Sequence, residues 1–492
     1  MQNLLIGIEA VFTLQGILAI VIGCAIGIVV GALPGLGPSL GVALLIPATY
    51  ALPPSVAFNL LVSLYLAAEY GGSITAILLG APGTASATAM LQDGYSLNKQ
   101  GKGVLALQTL MYSATIGGVV GGIALMTLSL PLVTMALKFG PPEYFALGIF
   151  GLSLVASLSG DNLIKGLVAA TLGLLIVVVG IDSVSGTARY TFGFYQLFEG
   201  VPFLVVLIGV FAVAECFAML EGRDALKAGR VEGSARMTLG QFRSLIPSFG
   251  RGSLIGVVVG VLPGAGANIA SWLAYDQEKR WSRTPERFGK GAIEGVAGPE
   301  TAGSASVGGS LVPLLTLGIP GSPTAAVLLG ALTLHGLQPG PKLFEGSPDV
   351  VYGLFVGLVV AYVAIYVLGT VAMPVWRRVL SMPNAILAPG VFVLSMIAAF
   401  SVRNLMFDVW LALGFGLVGY VLKKLQFPMA PLILAMVLGV MVEANYSRSL
   451  IMAQGSHDIF FSRPLAASLL AVALAVLVWP LISAVLRRRR ST

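Results

Sequence analysis

Charged residues are scarce in this chain. Asp, Glu, Lys and Arg together make up 10% of its 492 residues, whereas 57% of the residues are hydrophobic. A soluble globular domain carries about 25% charged and about 45–50% apolar residues. The shortage of charge therefore excludes an ordinary soluble domain. The mean hydropathy of +0.93 predicts an all-α polytopic protein that crosses a lipid bilayer many times.

Histidine and cysteine are also rare. His335 and His457 lie far apart in the sequence, and the two cysteines, Cys24 and Cys216, fall in apolar segments. Isolated residues of these types match neither a metal site nor a disulfide framework nor a catalytic pair. The sequence also lacks a Gly-Lys-Ser/Thr phosphate loop and a basic patch with interleaved aromatic residues. We therefore expect no enzyme, no metal or cofactor, no nucleic-acid binding and no ATP hydrolysis.

Basic residues mark the cytoplasmic loops of bacterial membrane proteins, so their positions orient the chain. About twelve apolar segments of spanning length follow one another. The basic clusters between them are Lys99 with Lys102, the segment 219–252, Arg377 with Arg378, Lys423 with Lys424, and the tail 487–490. The numbers of segments between these clusters agree with a cytoplasmic location for all of them. The N-terminus then lies outside the membrane and the C-terminus in the cytoplasm, and in a bacterial inner membrane the outside is the periplasm.

Two glycine- and proline-rich motifs each occur twice. GALPGLG at Gly31 matches GVLPGAG at Gly260. GGSITAILLGAPGT at Gly71 matches GGSLVPLLTLGIPGS at Gly308, with one residue inserted. The order and rough spacing of the motifs are kept, so we interpret the chain as an internal duplication.

The duplication divides the chain into a first membrane repeat at 1–218, a cytoplasmic basic linker at 219–252 and a second membrane repeat at 253–492. The charge pattern starts the first repeat outside and the second inside, which predicts inverted-topology repeats. Paired repeats with Gly/Pro-interrupted segments are typical of secondary transporters. Each interrupted block must make an odd number of crossings, so it contains a broken helix or a re-entrant hairpin.

A helix broken inside a membrane exposes backbone groups that can bind ions. Its N-terminal N–H groups suit a carboxylate, and its C-terminal carbonyls suit Na⁺. Nearby hydroxyls and a carboxylate complete the expected substrate and ion site. The candidate residues are Pro34, Gly35, Gly37, Ser39, Glu69, Gly72, Ser73, Pro82, Gly83, Thr84, Pro263, Gly264, Gly266, Asn268, Gly309, Ser310, Pro320, Gly321 and Ser322. The alternative is that these small residues serve only close helix packing.

Acidic residues near the motifs bear on the coupling ion. Glu69 lies inside an apolar segment, where a carboxylate is by default a ligand for H⁺ or Na⁺. Glu294 and Glu300 flank the second block and are able to approach the site. For the mixed-charge stretch that ends at Glu300 we favour a solvated amphipathic segment over a role in binding substrate.

The motifs resemble those of the TctA-type large membrane subunit of tripartite tricarboxylate transporters. The resemblance covers nearly the whole chain. The matching stretches are GALPGLGPSLGVALLIPATYALPP, AAEYGGSITAILLGAPGTASATAMLQDGYSL, GVLPGAGANIASWLAYDQEK and GGSLVPLLTLGIPGSPTAAVLLGALTLHGLQPGP. The resemblance implies a bacterial inner-membrane permease subunit that acts with a small four-helix membrane subunit and a periplasmic solute-binding protein. It also implies uptake of a di- or tricarboxylate driven by an ion gradient.

Two functional hypotheses remain at this point. In the first, the chain is a secondary active carboxylate importer that couples uptake to Na⁺, or alternatively to H⁺. The motifs contain no arginine to bind a carboxylate, so helix N-termini and bound cations have to neutralise the anion, which favours Na⁺. In the second, the chain is a channel or a structural membrane scaffold that uses the glycine motifs for helix packing.

Overall fold

The computed structural model describes residues 2–33, 36–157, 163–182, 186–221, 235–371 and 384–490. Within these ranges the chain is almost entirely helical. A two-residue antiparallel pair, β1 (Gly180–Ile181) with β2 (Ala188–Arg189), forms the sheet of the described residues. The helical content confirms the predicted all-α class.

The first part of the chain contains ten helices within its described residues. They are α1 (Gln2–Val11), α2 (Leu14–Ala32), α3 (Gly37–Leu45), α4 (Pro54–Leu79), α5 (Leu91–Leu97), α6 (Gly103–Ala136), α7 (Pro141–Ser157), α8 (Leu163–Val177), α9 (Phe203–Leu207) and α10 (Ala214–Glu221). A π-helical turn at Ile208–Val213 joins α9 to α10. A 3₁₀ turn, Ser86–Thr88, precedes α5.

The second part continues from Leu239. Its helices are α11 (Leu239–Val261), α12 (Gly266–Trp281), α13 (Glu294–Leu317), α14 (Pro323–Leu334), α15 (Pro341–Gly346), α16 (Pro348–Val371), α17 (Asn384–Arg403), α18 (Met406–Lys424), α19 (Met429–Met452), α20 (Ile459–Ser462) and α21 (Pro464–Arg490). Helix α11 begins inside the stretch that the sequence assigns to the linker.

Eight helices in the described ranges are long and apolar enough to cross a membrane. Five further apolar helices are shorter, at 10–17 residues, and include α14 and the segment that contains α3. Such a set of apolar helices confirms the predicted multi-pass membrane protein. The predicted total of about twelve spans remains a prediction.

Glycines bring α2 and α4 into direct backbone contact. A Cβ atom on each of three α2 glycines would lie 1.8–2.4 Å from a carbonyl oxygen of α4. The facing pairs are Gly23 with Leu60, Gly27 with Leu64, and Gly31 with Ala68. The contacts advance in the same direction along both helices, so α2 and α4 are parallel. Because α3 lies between them in the chain, it must run back, and α2 with α3 forms a helical hairpin.

Helices α11 and α13 repeat this arrangement. Three α11 glycines would place a Cβ atom 2.3–2.7 Å from carbonyl oxygens of α13. The facing pairs are Gly252 with Gly298, Gly256 with Ala302, and Gly260 with Ser306. These two helices are therefore also parallel, and α12 runs back between them. In each half a hairpin is thus followed by a helix that runs parallel to its first arm, and the predicted odd number of crossings stays a prediction.

The stretch between α12 and α13 is tied to the first half by Asp93. This aspartate is fully buried, and its Oδ1 atom accepts hydrogen bonds from the backbone N–H groups of Gly289, Gly291 and Ala292 at 2.8–2.9 Å. The Tyr275 hydroxyl donates to Oδ2 at 2.8 Å. One carboxylate thus holds together segments that lie almost two hundred residues apart.

The mixed-charge stretch from Asp276 to Glu300 is less solvated than its composition predicts. Glu278 is 2% exposed and pairs with Arg251 at 2.6 Å, and it also accepts a hydrogen bond from Ser248. Glu300 is 4% exposed and lies within α13. The prediction of a solvated segment is wrong for these two glutamates. Helix α12 continues to Trp281 and packs Glu278 against Gly298, and α13 begins at Glu294 and inserts Glu300 between other helices.

Candidate functional site

The first break follows α4. The helix ends at Gly80, which adopts the left-handed conformation at φ 66°. The chain then folds back along α4, so that the Gly83 N–H donates to the Gly72 carbonyl at 3.1 Å. Thr84 lies directly against Gly72, where a Cβ atom would meet the threonine at 2.5 Å. Glycine at position 72 is therefore required for the segment after the break to pack against α4.

The second break follows α13 and has the same form. This helix ends at Gly318, with φ 72°, and the chain returns so that Gly321 packs on Ser310 and on the carbonyl of Gly260. Ser322 then begins α14 and accepts a hydrogen bond from the Ala325 N–H at 3.1 Å. The new helix N-terminus is thus placed beside the middle of α13.

The tips of the two helical hairpins, where α3 and α12 begin, lie next to the breaks. Gly37 at the start of α3 and Gly266 at the start of α12 share the same left-handed φ of 59°, and Gly264 has φ 80°. The Gly266 N–H donates to the Gly321 carbonyl at 3.2 Å, which joins the second hairpin to the second break. Pro34 and Gly35, which the sequence predicts to be part of the site, lie outside the described residues.

Side chains from the two halves meet between these breaks. The Tyr65 hydroxyl shares a hydrogen bond with the Ser322 hydroxyl at 3.0 Å. The Ser39 and Thr324 hydroxyls lie 2.8 Å apart. We call the resulting group the break cluster, and its members are Ser39, Tyr65, Glu69, Ser73, Thr84, Ser86, Glu300, Ser304, Ser322 and Thr324.

The break cluster contains two carboxylates. Ser73 on α4 donates to Glu300 Oε2 at 2.7 Å, and Ser304 contacts Glu300 Oε1 at 3.4 Å. Ser86 donates to Glu69 Oε2 at 2.6 Å. Ser73 follows Glu69 by one helical turn of α4, so the Glu300 carboxylate that Ser73 binds lies beside the turn that carries Glu69.

Neither carboxylate has a basic partner. Within the described part of the chain, no hydrogen bond or ion pair joins Glu69 or Glu300 to lysine, arginine or histidine. An uncompensated carboxylate in an apolar interior costs many kcal/mol, so such groups either bind a cation or take up a proton. Two acids and several hydroxyls form an oxygen-rich set that suits either ion.

The predicted site residues divide into two groups. Ser39, Glu69, Ser73, Thr84 and Ser322 carry side chains of the break cluster. The other described residues do not contribute side chains to the cluster. Positive φ angles occur at Gly37, Gly264 and Gly266, and close packing of the backbone is allowed by Gly72, Gly83, Gly309 and Gly321. The breaks contain Pro82, Pro263 and Pro320, whereas Ser310 donates to the Val307 carbonyl and Asn268 is exposed. For the glycines of this group, the packing alternative describes the geometry.

Sequence reasoning missed Tyr65 as a member of the site and undervalued Glu300. Tyr65 lies in an apolar run of α4, and only its partner Ser322 reveals its position. Glu300 was visible as a charge at the edge of a motif block. The signal for its burial is the run of small residues around it, GVAGPETAGSASVGG, which allows helices to approach closely.

A bundle of apolar helices that encloses two helix breaks and a buried polar cluster defines a multi-pass membrane protein with an internal site. The chain belongs to the tripartite tricarboxylate transporter TctA family, whose family model matches residues 17–434. The predicted resemblance is confirmed. The chain is accordingly a component of a tricarboxylate transporter, in a family that implies partner subunits and a solute-binding protein.

Two proteins of Agrobacterium vitis are similar to this chain. An uncharacterized 52.8 kDa protein in the TAR-I ttuC′ 3′ region is 37% identical over 490 residues, which cover 99% of this chain and 97% of that protein. An uncharacterized protein in the TAR-II ttuC′ 3′ region is 37% identical over 234 residues, which cover 48% of this chain and 97% of that protein. No solved structure matches the chain.

Proposed function

We propose that this chain is the large permease subunit of a tripartite transporter that imports a di- or tricarboxylate across the bacterial inner membrane. Uptake is secondary active and is driven by an ion gradient. The chain works with a small four-helix membrane subunit and with a periplasmic solute-binding protein that delivers the substrate. It transports its substrate without chemical change and is not an enzyme.

One observation carries this proposal: the two helix breaks share a single polar cluster. Irregular backbone persists at membrane depth only where protein buries it or where it lines a wet cavity. Helix packing alone requires the glycines, but it does not require two carboxylates and their hydroxyl partners in the same place. Transporters place substrate and ion between two repeats in this way.

The matched backbone geometry supports the inverted duplication. The hairpin contacts recur with an offset of 229 residues from Gly31 to Gly260, and the breaks recur from Gly80 to Gly318. We propose two inverted-topology repeats, at 1–218 and 253–492 with the basic linker 219–252 between them, and about twelve membrane segments in all. The N-terminus is periplasmic and the C-terminus cytoplasmic in this arrangement.

Different parts of the break cluster bind the substrate and the coupling ion. The N-terminus of α14, with the Ser322 hydroxyl, provides the donors for a substrate carboxylate. Glu69 and Glu300, with the hydroxyls that contact them, provide the oxygens for the coupling ion. We favour Na⁺ over H⁺, because a bound metal cation also helps to neutralise the anionic substrate beside it.

The proposal predicts carboxylate accumulation that requires three proteins and Na⁺. Cells that express this chain should concentrate labelled citrate above its external level only with the small subunit and the binding protein present. Replacing Na⁺ in the buffer should abolish the accumulation, because the ion gradient supplies the energy. Accumulation without the binding protein would contradict the tripartite assignment, and simple equilibration of citrate would identify a channel.

A double variant, Thr84→Ala with Ser322→Ala, tests the role of the breaks. It removes one hydroxyl from each break, and hydrogen bonds to charged groups contribute about 1.5–3 kcal/mol each, so kcat/KM for citrate uptake should fall at least about tenfold. The exchange Thr84→Ser with Ser322→Thr keeps both hydroxyls and should retain most of the uptake.

The matched control for this variant is Thr127→Ala with Ser401→Ala. Within the described residues these hydroxyls bond only to carbonyls of their own helices, at 2.9 and 2.8 Å, and neither belongs to the break cluster. Uptake by the control should equal that of the unaltered chain. If the Thr84 and Ser322 double alanine variant also transported normally, the breaks would not bind the substrate.

A further inference from the structure

A large cavity lies on one side of the molecule, next to the second break. Its volume is about 1210 Å³, above the roughly 300–1,000 Å³ that is typical of small-molecule pockets. Leu317 and Gly318 form part of its wall, and Ser322 of the break cluster follows Gly318 after four residues. The cavity and the break cluster therefore share the same interruption of α13.

The cavity faces away from the basic clusters that mark the cytoplasm. Helix α6 begins next to Lys102, and its opposite end, at Ala136, lines the cavity. Helix α19 follows Lys424, and the cavity wall uses the half of α19 that lies further along the chain. Under the proposed topology the cavity opens to the periplasm.

Four basic residues line this cavity: Arg189, Lys342, Arg403 and Arg448. Arg189 is held by Glu443 at 2.6 Å and by Asp182 at 3.1 Å, and Arg403 is held by Asp408. The hydrogen bond from Arg189 to Glu443 raises the pKa of the guanidinium, so it stays charged.

Donors remain free in the wall after these pairs are formed. Lys342 and Arg448 are exposed and have no ion-pair or hydrogen-bond partner within the described ranges. The Nε atom of Arg189 is buried and has no acceptor among the residues that the structure describes. The acidic residue of the wall that is likewise unpaired among the described residues is Glu199. The side-chain groups of the wall that remain without a partner are therefore mainly hydrogen-bond donors. Because carboxylate oxygens only accept hydrogen bonds, a carboxylate anion complements this wall.

We propose that this cavity is an outer binding site for the polycarboxylate anion, in which Lys342 and Arg448 hold the substrate before it reaches the break cluster. The proposal deepens the function proposed above and rests on it for the class of anion and for the orientation. A guanidinium and an ammonium match two carboxylates of one molecule, and the wide cavity leaves room for their hydration.

The test uses a cysteine in the cavity wall and does not depend on transport. Thr333 is exposed and lines the cavity, whereas the two native cysteines are buried. A membrane-impermeant maleimide should label Thr333→Cys in intact cells, and citrate should protect this cysteine in a concentration-dependent manner. Acetate and glycerol, which offer one carboxylate and none, should not protect it at the same concentrations.

Charge removal should weaken the protection. Losing two exposed positive charges removes a modest attraction for the anion, so Lys342→Gln with Arg448→Gln should raise the citrate concentration for half-protection about fivefold. Lys342→Arg with Arg448→Lys keeps both charges and should preserve the protection. Arg283→Gln with Arg287→Gln removes two exposed charges elsewhere and is the matched control.

Several results would overturn the proposal. Failure of the maleimide to label Thr333→Cys would show that the cavity is not open to the outside, provided that exposed Ser456→Cys is labelled in the same cells. Labelling without citrate protection would show that no anion binds there, and undiminished protection in the double glutamine variant would remove the two basic residues from the site. If citrate protected the cysteine in a chain that transports no citrate, the outer site would stand and the proposed transport function would fail.

Discussion

Replacing Asp93 with alanine should destabilise the folded chain by about 4 kcal/mol, because buried donors that lose their acceptor cost roughly 1–3 kcal/mol each. The aspartate accepts from three backbone N–H groups and from the Tyr275 hydroxyl, and it is fully buried. The measurement is the temperature at which the detergent-solubilised full chain no longer elutes as a single monodisperse peak, and this temperature should fall in the variant.

Asp93→Asn provides the comparison within this experiment. An amide oxygen still accepts from all three N–H groups, so the asparagine variant should lose less than half as much stability as the alanine variant. Asp276→Ala is the matched control, since this aspartate is half exposed and its pair with Arg280 contributes at most about 1 kcal/mol. Equal stability of the alanine and asparagine variants would show that water replaces the missing acceptor.

Replacing Glu300 with glutamine should abolish concentrative uptake of citrate. Under the proposed function the coupling ion would lose one of two carboxylates, and removing one partner of a buried charge pair costs about 3–5 kcal/mol, which would weaken ion binding about 100-fold or more. Glu69→Gln should have the same effect, because both acids belong to one cluster. The measurement is citrate uptake as a function of Na⁺ concentration.

Glu294→Gln is the control for both glutamate variants. Glu294 lies on the same helix as Glu300 but outside the break cluster, so its neutralisation should leave the Na⁺ dependence unchanged. If Glu300→Gln retained the Na⁺ dependence of the unaltered chain, the coupling ion would bind elsewhere. Uptake that depended on pH and not on Na⁺ in the unaltered chain would identify H⁺ as the coupling ion.

The helix breaks were predictable because Pro-Gly pairs recur at matched places in the two halves, whereas single prolines such as Pro299 and Pro313 lie inside α13 without ending it. The sequence places breaks at Pro82-Gly83, Pro263-Gly264 and Pro320-Gly321, and helices end or begin around each of these pairs. The sequence did not predict which arm turns back. That depends on the parallel packing of α2 with α4, which a pattern of separate apolar segments does not show.

The extent of the second block was harder to predict. Hydropathy places its last segment from Ala305, whereas α13 begins at Glu294. The intervening residues are small and weakly hydrophobic, and tertiary packing buries them on all sides. Hydropathy measures transfer into lipid, and a helix surrounded by other helices does not require that property.

The repeat register shows a related difference. The sequence match pairs the glycines at 71 and 308 and needs one inserted residue. In the structure Gly71 packs on Ile28 and Gly309 packs on Val257, so the equivalent residues are Gly71 and Gly309 without an insertion. Matching the motifs by residue type shifts the second motif by one residue. The two halves share a close contact between two backbones, and this contact does not depend on every neighbouring residue type being the same.

The glycine contacts also determine which parts of the molecule are able to move. Where the Gly31 backbone touches the carbonyl of Ala68, there is no side chain to adjust and no space for sliding. Each hairpin and its parallel helix therefore behave as one stiff body. The hydroxyl pairs between the halves, such as Ser39 with Thr324, exchange for water at little net cost. Helix α6 meets α13 through the same kind of backbone contact, at Gly117 with Thr301 and at Gly121 with Ala305, so α6 belongs to the stiff body of the second hairpin although it lies in the first half of the chain.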